Sequence, residues 1–214
     1  MGKKLNVLAV GAHFDDVEIG CGGTIAKHVA RGDNVYILVL SNIAYYDRLK
    51  KLRKSKQNGI YEGRNAAKTL GVKGFICLNY PKRLFETPPD LIEKLEQIIS
   101  EKKIDTVYCH WINDVHQDHR IVARAIISAA RNIPRVLMYR SNWYVPSEPF
   151  KEDLFVNITP FIDKKIEAIK EHKTEIKRKP EIVDFVLKQN MSSGSSVGVK
   201  YAESFQIVKY LIED

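Results

Sequence analysis

Short apolar runs rich in β-branched residues alternate along the chain with longer amphipathic stretches. Six apolar runs predict strands, namely Leu5–Val10, Val35–Leu40, Phe75–Leu78, Thr106–Cys109, Arg135–Tyr139 and Leu154–Val156. Four stretches between them predict helices, namely Thr24–Ala30, Tyr61–Leu70, Pro89–Glu101 and Arg120–Ala130. Near-continuous apolar strands that alternate with helices indicate an α/β fold in which a mostly parallel sheet carries helices on both faces.

The last third of the chain has a different pattern. Two amphipathic stretches, Phe161–His172 and Glu181–Met191, predict helices that a Lys-Pro pair separates. Segment 192–196, which reads Ser-Ser-Gly-Ser-Ser, predicts a flexible turn. The pattern of Tyr201–Leu211 fits a strand and a helix equally well.

The composition narrows the classes of protein. A chain of 214 residues with 44% hydrophobic residues and no long linker fits one compact core, so residues 1–214 are expected to form a single domain. The first apolar run is too short for a signal peptide or a membrane span, which predicts a cytoplasmic protein. The three cysteines are scattered and form no Cys-x-x-Cys motif, so His and carboxylate groups must hold any metal. The oligomeric state stays open, a homo-oligomer included.

The chain is basic, with 34 Lys and Arg against 26 Asp and Glu and a pI of about 9.3. Such a charge is typical of proteins that bind nucleic acid or membrane surfaces. However, the basic segments 48–56 and 170–179 lack the pattern of an RNA-binding sheet and precede no heptads. We therefore expect no nucleic-acid partner, and we interpret both segments as solvated faces that aid solubility or attract an anionic substrate.

Two polar segments follow the first and the fourth predicted strands. Residues 13–16 read His-Phe-Asp-Asp and residues 116–119 read His-Gln-Asp-His, and together they hold three of the six histidines. Ligands bind outside the carboxyl ends of the strands in an open parallel sheet, so we expect both segments at one edge. Each residue alone has an ordinary explanation, such as an aspartate that caps a helix, but the two segments together favour a metal site.

Zinc chemistry explains these residue types. A catalytic zinc takes three protein ligands from imidazole and carboxylate groups and keeps a fourth position for water. His13 and Asp16 would be the two ligands from one loop, and His119 would be the third, from the distant loop. Bound zinc lowers the pKa of its water to about 7 and polarises a carbonyl group.

Three further residues of these segments are predicted to be catalytic. A carboxylate beside the metal takes the proton of the water, and Asp15 is placed to do so. His116 would donate a hydrogen bond to the oxyanion or protonate the leaving amine. Asp118 would orient one of the imidazoles.

Both segments resemble the signatures of a known family. Residues 12–24, Ala-His-Phe-Asp-Asp-Val-Glu-Ile-Gly-Cys-Gly-Gly-Thr, resemble the Ala-His-Pro-Asp-Asp-Glu signature of the LmbE-like (PIG-L) N-deacetylases. Residues 113–120, Asn-Asp-Val-His-Gln-Asp-His-Arg, resemble the second signature, and weaker similarity extends to 62–72 and 202–205. The resemblance implies a Rossmann-like fold, a zinc ion and removal of an acetyl group from an N-acetylated sugar or sugar conjugate. It also implies the same ligands, base and oxyanion partner.

The chain departs from the family pattern at two positions. Phe14 stands where the family usually has proline, which removes a stiffening of the loop but no functional group. Gly59, three residues before Glu62, stands where the family tends to have an arginine that clamps the substrate. The candidates to replace that arginine are Arg53, Arg64 and Lys56.

Other polar and aromatic positions have simpler explanations. Residues 20–24 lack the full spacing of a dinucleotide-binding loop, so their glycines are expected to let the first helix pack closely. His28 and His172 are interpreted as surface or helix-end residues. Three aromatic residues are expected either to line a sugar pocket or to pack in the core, namely Trp111, Trp143 and Tyr144.

The predicted reaction is attack of a metal-bound water on the acetamide of an N-acetylated amino sugar of the N-acetylglucosamine type, so that acetate and a free amine leave. Two alternatives stay open. One is a zinc amidase or esterase that acts on a non-sugar acyl substrate, such as an N-acylated amino acid. The other is a non-catalytic protein that uses the metal to hold a ligand, although such a protein has no need of a free carboxylate at Asp15.

Overall fold

The computed structural model describes residues 3–41, 45–46, 52–80 and 86–212. In chain order its strands and helices are β1 (Asn6–Gly11), α1 (Asp16–Ala30), β2 (Asn34–Ser41), β3 (Tyr45–Tyr46), β4 (Leu52–Lys54), α2 (Lys56–Leu70), β5 (Gly74–Tyr80), α3 (Leu91–Glu101), β6 (Thr106–His110), α4 (Gln117–Ala129), β7 (Arg135–Tyr139), β8 (Leu154–Asn157), α5 (Ile162–Lys170), α6 (Lys173–Arg178), α7 (Ile182–Ser196) and β9 (Ala202–Tyr210). A 3-10 turn, Thr159–Phe161, precedes α5. Seven strands form one sheet in the order β5-β2-β1-β6-β7-β9-β8, and β3 pairs with β4.

The seven-stranded sheet is mostly parallel. Strand β1 pairs in parallel with β2 and β6, and parallel pairing continues to β5 on one side and to β7 on the other. The two antiparallel pairs of this sheet both involve β9, which lies between β7 and β8. Because successive strands are added to opposite sides of β1, a crevice opens at the carboxyl ends of β1 and β6. The prediction of an α/β fold with a mostly parallel sheet is confirmed.

Helices cover both faces of this sheet. Along β1, Leu8 and Val10 belong to one buried apolar cluster, whereas Val7 and Ala9 belong to another. The first cluster includes residues of α3 and α4, and the second includes residues of α1, α2 and α5. Since successive side chains of a strand point to opposite faces, each cluster fills the space between one face and its helices. In the described part of the chain, no helix is long and apolar enough to cross a membrane.

Helix α1 is longer than predicted, because it begins at Asp16 rather than at Thr24. Two of its glycines allow close packing, as expected. A Cβ at Gly20 would lie 2.1 Å from Cδ2 of Tyr139 on β7, and a Cβ at Gly23 would lie 2.8 Å from Cδ1 of Ile158. Separations below 3 Å are not tolerated, so only glycine lets α1 approach the sheet this closely at these two positions.

A buried carboxylate fills a break in α1. The backbone of Cys21 leaves the helical region, with φ −144° and ψ 18°, and the turn that follows therefore has free N–H groups. Glu203 on β9 accepts hydrogen bonds from the N–H groups of Gly23 and Thr24 at 2.8 and 2.6 Å. Its Oε1 also pairs with Nζ of Lys165 on α5 at 2.6 Å, and both side chains are fully buried. The glycine-rich residues 20–24 therefore bind the carboxylate of a side chain of the same protein, Glu203.

The prediction of a turn at segment 192–196 is wrong, because α7 continues through it to Ser196. The hydroxyl groups of Ser195 and Ser196 donate to the carbonyl groups four residues earlier, which satisfies these side chains inside a helix. Gly194 is required by packing, since a Cβ there would lie 2.7 Å from the carbonyl oxygen of Val199. Tertiary contacts thus outweigh a composition that favours turns.

Helix α6 is not predicted by the periodicity of the sequence. The residue range Phe161–His172 forms the end of the 3-10 turn and α5, which ends at Lys170, and α6 follows directly. The N–H group of Thr174 in the first turn of α6 donates to Oε1 of Glu62 on α2 at 2.9 Å. A distant carboxylate therefore stabilises a helix of only six residues.

His28 and His172 are helix-end residues, as one of the two interpretations had it, but neither lies at the surface, because both are buried. His28 Nδ1 lies 2.7 Å from Oδ2 of Asp33, and its Nε2 lies 3.0 Å from the hydroxyl group of Tyr108. His172 Nε2 lies 3.4 Å from Oε2 of Glu18. Both histidines therefore have polar partners inside the protein.

Candidate functional site

The loops after β1 and β6 place the two polar segments at the same edge of the sheet. Asp15 has a φ of 87°, a left-handed conformation that aspartate adopts more readily than most residues, and α1 begins directly after it. His116 is the N-cap of α4, where its Nδ1 accepts a hydrogen bond from the N–H of Asp118 at 3.2 Å. Asp16 and His119 thus lie in the first turns of α1 and α4.

The three residues predicted as metal ligands form a compact cluster in which Asp16 and His119 are buried and His13 is partly buried. One ligand atom from each of His13, Asp16 and His119 lies within 4.8 Å of the others. The N–H of His13 donates to Asp16 Oδ2 at 2.7 Å, and His13 Nδ1 lies 3.4 Å from the same oxygen. His119 Nε2 lies 3.4 Å from Asp16 Oδ1. The fold brings the three residues together, and their role as ligands stays a prediction.

Both histidines of this cluster also face a second carboxylate. His13 Nε2 lies 2.9 Å from Oδ2 of Asp118, and His119 Nδ1 lies 3.2 Å from Oδ2 of Asp114. A carboxylate behind a ligating histidine fixes its tautomer and its ring orientation. Asp118 therefore contacts an imidazole that it could orient, and that role also stays a prediction.

Sequence reasoning misses Asp114, which organises the loop before α4. Its carboxylate accepts hydrogen bonds from the side-chain amide of Asn142 at 2.8 and 2.9 Å and from the N–H of His116 at 2.7 Å. An aspartate two residues before the N-cap can form such a turn, which is a signal in the sequence. Asn142 follows β7, the neighbour of β6, so its position at the same edge could also have been inferred.

Two more buried side chains that sequence reasoning leaves without a role contact Asp16. Ser141 Oγ donates to Asp16 Oδ1 at 3.1 Å. His110 Nε2 lies 3.1 Å from Asp16 Oδ2 and accepts a hydrogen bond from the N–H of Ala12 at 3.0 Å. The ring of His110 stacks on that of His119, with 3.8 Å between the ring centres. His110 is therefore a structural support of the cluster.

The cluster holds opposite charges in a buried setting. Burial opposes protonation of His119, but the carboxylates of Asp16 and Asp114 outweigh it and raise the pKa of His119 to about 10. Burial also opposes ionisation of Asp16, but His119 and His110 outweigh it and hold the pKa of Asp16 well below its usual range. At His116, burial and the charge of His119 together lower the pKa to about 4. Near pH 7, His119 is protonated in the metal-free chain and His116 is neutral.

These donor groups fit a metal ion. Two carboxylates stabilise a positive charge at His119, and in the metal-free chain a proton supplies that charge. Imidazole and carboxylate groups together suit zinc and other divalent transition metals. Two overlapping sets of side chains are equally compact, namely His13, His116 and Asp118, and His110, Asp114 and His119.

A cavity of about 310 Å³ opens beside the cluster. Asp15 and His116 line it, together with the predicted ligands. Trp143 and Tyr144, which follow β7, form another part of its wall. Trp111, in contrast, is buried in the core, where its ring packs edge-to-face against Phe150.

The positive charges of the cavity wall come from the end of α6. Among the described residues, Arg178 and Lys179 are the Lys and Arg side chains that line the cavity. Lys56 and Arg64 are exposed on α2 and do not line it. The side chain of Arg53 lies outside the described part of the chain. The expectation that Lys56 or Arg64 reaches the substrate therefore has no support in this geometry.

Packing stiffens the loop at the position where the family usually has proline. Phe14 is buried, and its ring stacks on Phe75 with 6.3 Å between the ring centres. Gly63 on α2 makes room for it, since a Cβ at Gly63 would lie 2.8 Å from Phe14 Cδ1. Contacts with α2 and β5 thus hold the loop in the place of a fixed proline ring.

Comparison with known sequences identifies the family. Residues 8–130 match the model of the PIG-L family, which is described as GlcNAc-PI de-N-acetylase. The chain belongs to the PIG-L family. It is also 34% identical over 188 residues to the uncharacterized deacetylase YaiS of Escherichia coli (strain K12), and the alignment covers 80% of this chain and 92% of YaiS. A place in this deacetylase family indicates an enzyme that acts on amides.

Solved structures share the PIG-L fold with this chain. The N,N'-diacetylchitobiose deacetylase of Pyrococcus horikoshii has a TM-score of 0.79 and 23% identity, and the match covers 95% of this chain and 83% of that one. GalB, the 4-carboxy-2-hydroxymuconate hydratase of Pseudomonas putida KT2440, has a TM-score of 0.78 and 20% identity, and the match covers 98% of each chain. Because one neighbour is a deacetylase and the other a hydratase, the fold alone does not define the reaction.

The PIG-L match and the cavity wall coincide only in part. The matched residues 8–130 contain both polar segments. Eight wall residues lie outside the match, namely 141–144, 175, 178, 179 and 182. The residues predicted to carry the chemistry therefore lie in the region that matches the family, whereas the Trp, Tyr, Lys and Arg residues of the pocket wall lie outside it.

Proposed function

We propose that this chain is a zinc-dependent N-deacetylase that removes the acetyl group from an N-acetylated amino sugar or sugar conjugate of the N-acetylglucosamine type. One observation carries the proposal. In a member of the PIG-L family, the cluster of His13, Asp16 and His119 lies at the wall of a cavity that Asp15 and His116 also line. The name of the Pyrococcus neighbour, a diacetylchitobiose deacetylase, supports an amino-sugar substrate.

His13, Asp16 and His119 would hold the zinc ion. His13 Nδ1 and His119 Nε2 both face the Asp16 carboxylate, and the other two ring nitrogens face Asp118 and Asp114. Each histidine can therefore offer one nitrogen to the ion and donate the N–H of the other to a carboxylate. When bound, zinc polarises the amide carbonyl and lowers the pKa of a water molecule. This set is preferred over the one with His110, because neither His110 nor Asp114 lines the cavity.

Asp15 and His116 would act on the reacting atoms. Asp15 takes a proton from the water as the water oxygen bonds to the amide carbon. Asp15 then returns a proton to the amide nitrogen as the C–N bond breaks. The neutral ring of His116 accepts the Asp118 N–H at Nδ1, so its own proton lies on Nε2. That N–H donates to the carbonyl oxygen as negative charge develops there.

A substrate panel separates this proposal from its alternatives. Metal-loaded protein is incubated with N-acetylglucosamine and its conjugates, with N-acetyl amino acids and with acetate esters, and the released acetate and amine are measured. Release from the sugars supports the proposal. Release only from the other compounds supports a zinc amidase or esterase, and no release from any compound by fully loaded protein supports a non-catalytic metal protein.

Two neighbouring carboxylates give the sharpest test of the assigned roles. Asparagine keeps the shape of aspartate and an oxygen lone pair but cannot take a proton near neutral pH. Asp15→Asn is expected to keep its zinc, measured by elemental analysis, and to lose about 10²–10⁴-fold in turnover. Asp16→Asn is expected to lose zinc, and excess zinc should restore part of its activity. The exposed Asp163→Asn on α5 serves as the control for expression and folding.

The opposite pattern would show that the roles are exchanged. In that case Asp15→Asn loses zinc and Asp16→Asn keeps it, so Asp15 is a ligand and not the base. Full zinc content and full activity in both variants would place the site elsewhere. A cytoplasmic location stays a prediction from the sequence, and the oligomeric state stays open.

A further inference from the structure

The end of α6 places a positive charge in the cavity wall. Proline disfavours a helical conformation at the residue that precedes it, so the helix ends before Pro180. Lys179 accordingly has φ −140° and ψ 76°, and it leaves the helix. It lines the cavity together with Trp143 and Tyr144, and its Nζ lies 4.4 Å from the centre of the Trp143 ring and 5.9 Å from that of Tyr144.

The aromatic rings hold this ammonium group without neutralising it. A cation is attracted to the negative face of an aromatic ring, but the ring carries no net charge. Trp143 is itself fixed by an edge-to-face contact with Phe185, with 5.0 Å between the ring centres. Lys179 therefore has a defined place at the wall, and its charge stays available to a ligand.

The other charged pair of this wall is already balanced. Arg178 Nε donates to Glu175 Oε2 at 2.8 Å, so these two charges largely cancel. In the described part of the chain, no carboxylate forms an ion pair with Lys179. The net charge of +8 further favours the approach of anions. The end of α6 thus offers one cation outside an ion pair to a molecule that also reaches the His-Asp cluster.

We propose that Lys179 is a specificity-determining residue that binds an anionic group, phosphate or carboxylate, on the part of the substrate that faces away from the acetyl group. This inference rests on the proposed function, and it narrows the substrate to an acidic N-acetylated sugar. Trp143 acts through Lys179 as a positioning residue.

The experiment compares four probes of similar size. The zinc-loaded protein is assayed for amine release from N-acetylglucosamine, its 1-phosphate, its 6-phosphate and N-acetylmuramic acid. We expect kcat/KM for at least one anionic probe to exceed that for N-acetylglucosamine by about tenfold at low ionic strength. Salt should reduce this ratio. The phosphate and carboxylate probes show which anion, and at which position of the sugar, fits Lys179.

Two variants connect the preference to this side chain. Lys179→Gln is expected to lower the ratio to near one. Lys177→Gln, an exposed lysine on the same helix that does not line the cavity, is expected to keep the ratio of the wild type. Because the readout is a ratio between probes, a general loss of activity does not affect it.

A binding measurement distinguishes failure of this inference from failure of the proposed function. Glucosamine 1-phosphate and glucosamine 6-phosphate are titrated calorimetrically into the wild type and Lys179→Gln. If no probe is hydrolysed, but the wild type binds a glucosamine phosphate and Lys179→Gln does not, the deacetylase proposal fails and the anion site stands. Equal kcat/KM for all four probes, an undiminished ratio in Lys179→Gln, or binding that Lys179→Gln retains in full overturns the role of Lys179.

Discussion

The buried ion pair between Lys165 and Glu203 allows a stability prediction that can be worked from the structure. Both side chains are fully buried, and Glu203 also accepts the N–H groups of Gly23 and Thr24 at the break in α1. Glu203→Gln keeps the size of the side chain and removes its charge. The ammonium group of Lys165 is then left in the core without an anion. The side-chain amide of the new glutamine must also face the hydrogen-bond donors that the carboxylate had accepted.

The expected cost follows from the charges. At 2.6 Å and an effective dielectric constant of about 20, the attraction within the pair is about 6 kcal/mol. Dehydration of the two ions opposes it by several kcal/mol for each ion, so the intact pair contributes little net stability. Removing one ion of the pair leaves the other buried without a partner, so Glu203→Gln should lower the free energy of unfolding by about 3–5 kcal/mol. Lys165→Met should cost less, about 2–3 kcal/mol, because Glu203 keeps its two backbone donors.

Urea unfolding, followed by circular dichroism and by tryptophan fluorescence, measures these differences. The double variant Lys165→Met, Glu203→Gln should lose less than the sum of the two single losses, since it leaves no unpaired ion. Lys164→Met, the exposed neighbour on α5, is the matched control and should change stability by less than about 0.5 kcal/mol. If Glu203→Gln changes the free energy of unfolding as little as Lys164→Met does, the pair does not hold α1, α5 and β9 together and the reasoning is refuted.

Two further predictions concern close packing and pH. Gly20→Ala should lower the Tm by roughly 6–12 °C, because its Cβ would lie 2.1 Å from the buried ring of Tyr139. Gly22→Ala on the same helix, whose Cβ would come no closer than 3.3 Å to Cγ of Lys165, should lower it far less, and equal shifts would contradict the packing argument. Burial lowers the pKa of His28 from 6.5, although its bond to Asp33 opposes this, so its contribution to stability is fully present above pH 6.5 and is lost as the pH falls. The unfolding free energy of the wild type should therefore decline more steeply than that of His28→Gln between pH 7.5 and 5.5, by at most about 1.4 kcal/mol per pH unit, and parallel curves would show that His28 titrates normally.

The position of the candidate site was predictable because it depends on one topological rule. The carboxyl ends of parallel strands meet at one edge, and this rule brings segment 13–16 next to segment 116–119 from hydrophobic pattern alone. The contacts around those segments depend on strand register, which the pattern does not contain. His110 faces Tyr139 across β6 and β7, and this register brings Ser141 to Asp16.

The parts of the fold that were predicted wrongly or not at all depend on long-range contacts. Strand β9 could not be distinguished from a helix by periodicity, and its antiparallel pairing with β7 and β8 decides the matter. Helix α6 depends on Glu62, which lies more than a hundred residues earlier in the chain. The helical course of 192–196 depends on bonds that local propensity does not include. Local patterns therefore identify the parallel strands and most of the helices, but not α6, the end of α7 or the strand character of β9.

Residues 141–144, in the loop after β7, contact both the His-Asp cluster and the cavity. Ser141 and Asn142 contact Asp16 and Asp114, whereas Trp143 and Tyr144 form part of the pocket wall. Under the proposed function, adjacent residues of one loop serve metal retention and substrate choice. On that proposal, a library that diversifies the whole loop to obtain new selectivity would lose most of its members to weak metal binding. Exchanging Trp143 and Tyr144 alone, with the two residues before them left intact, changes the pocket while the cluster stays assembled.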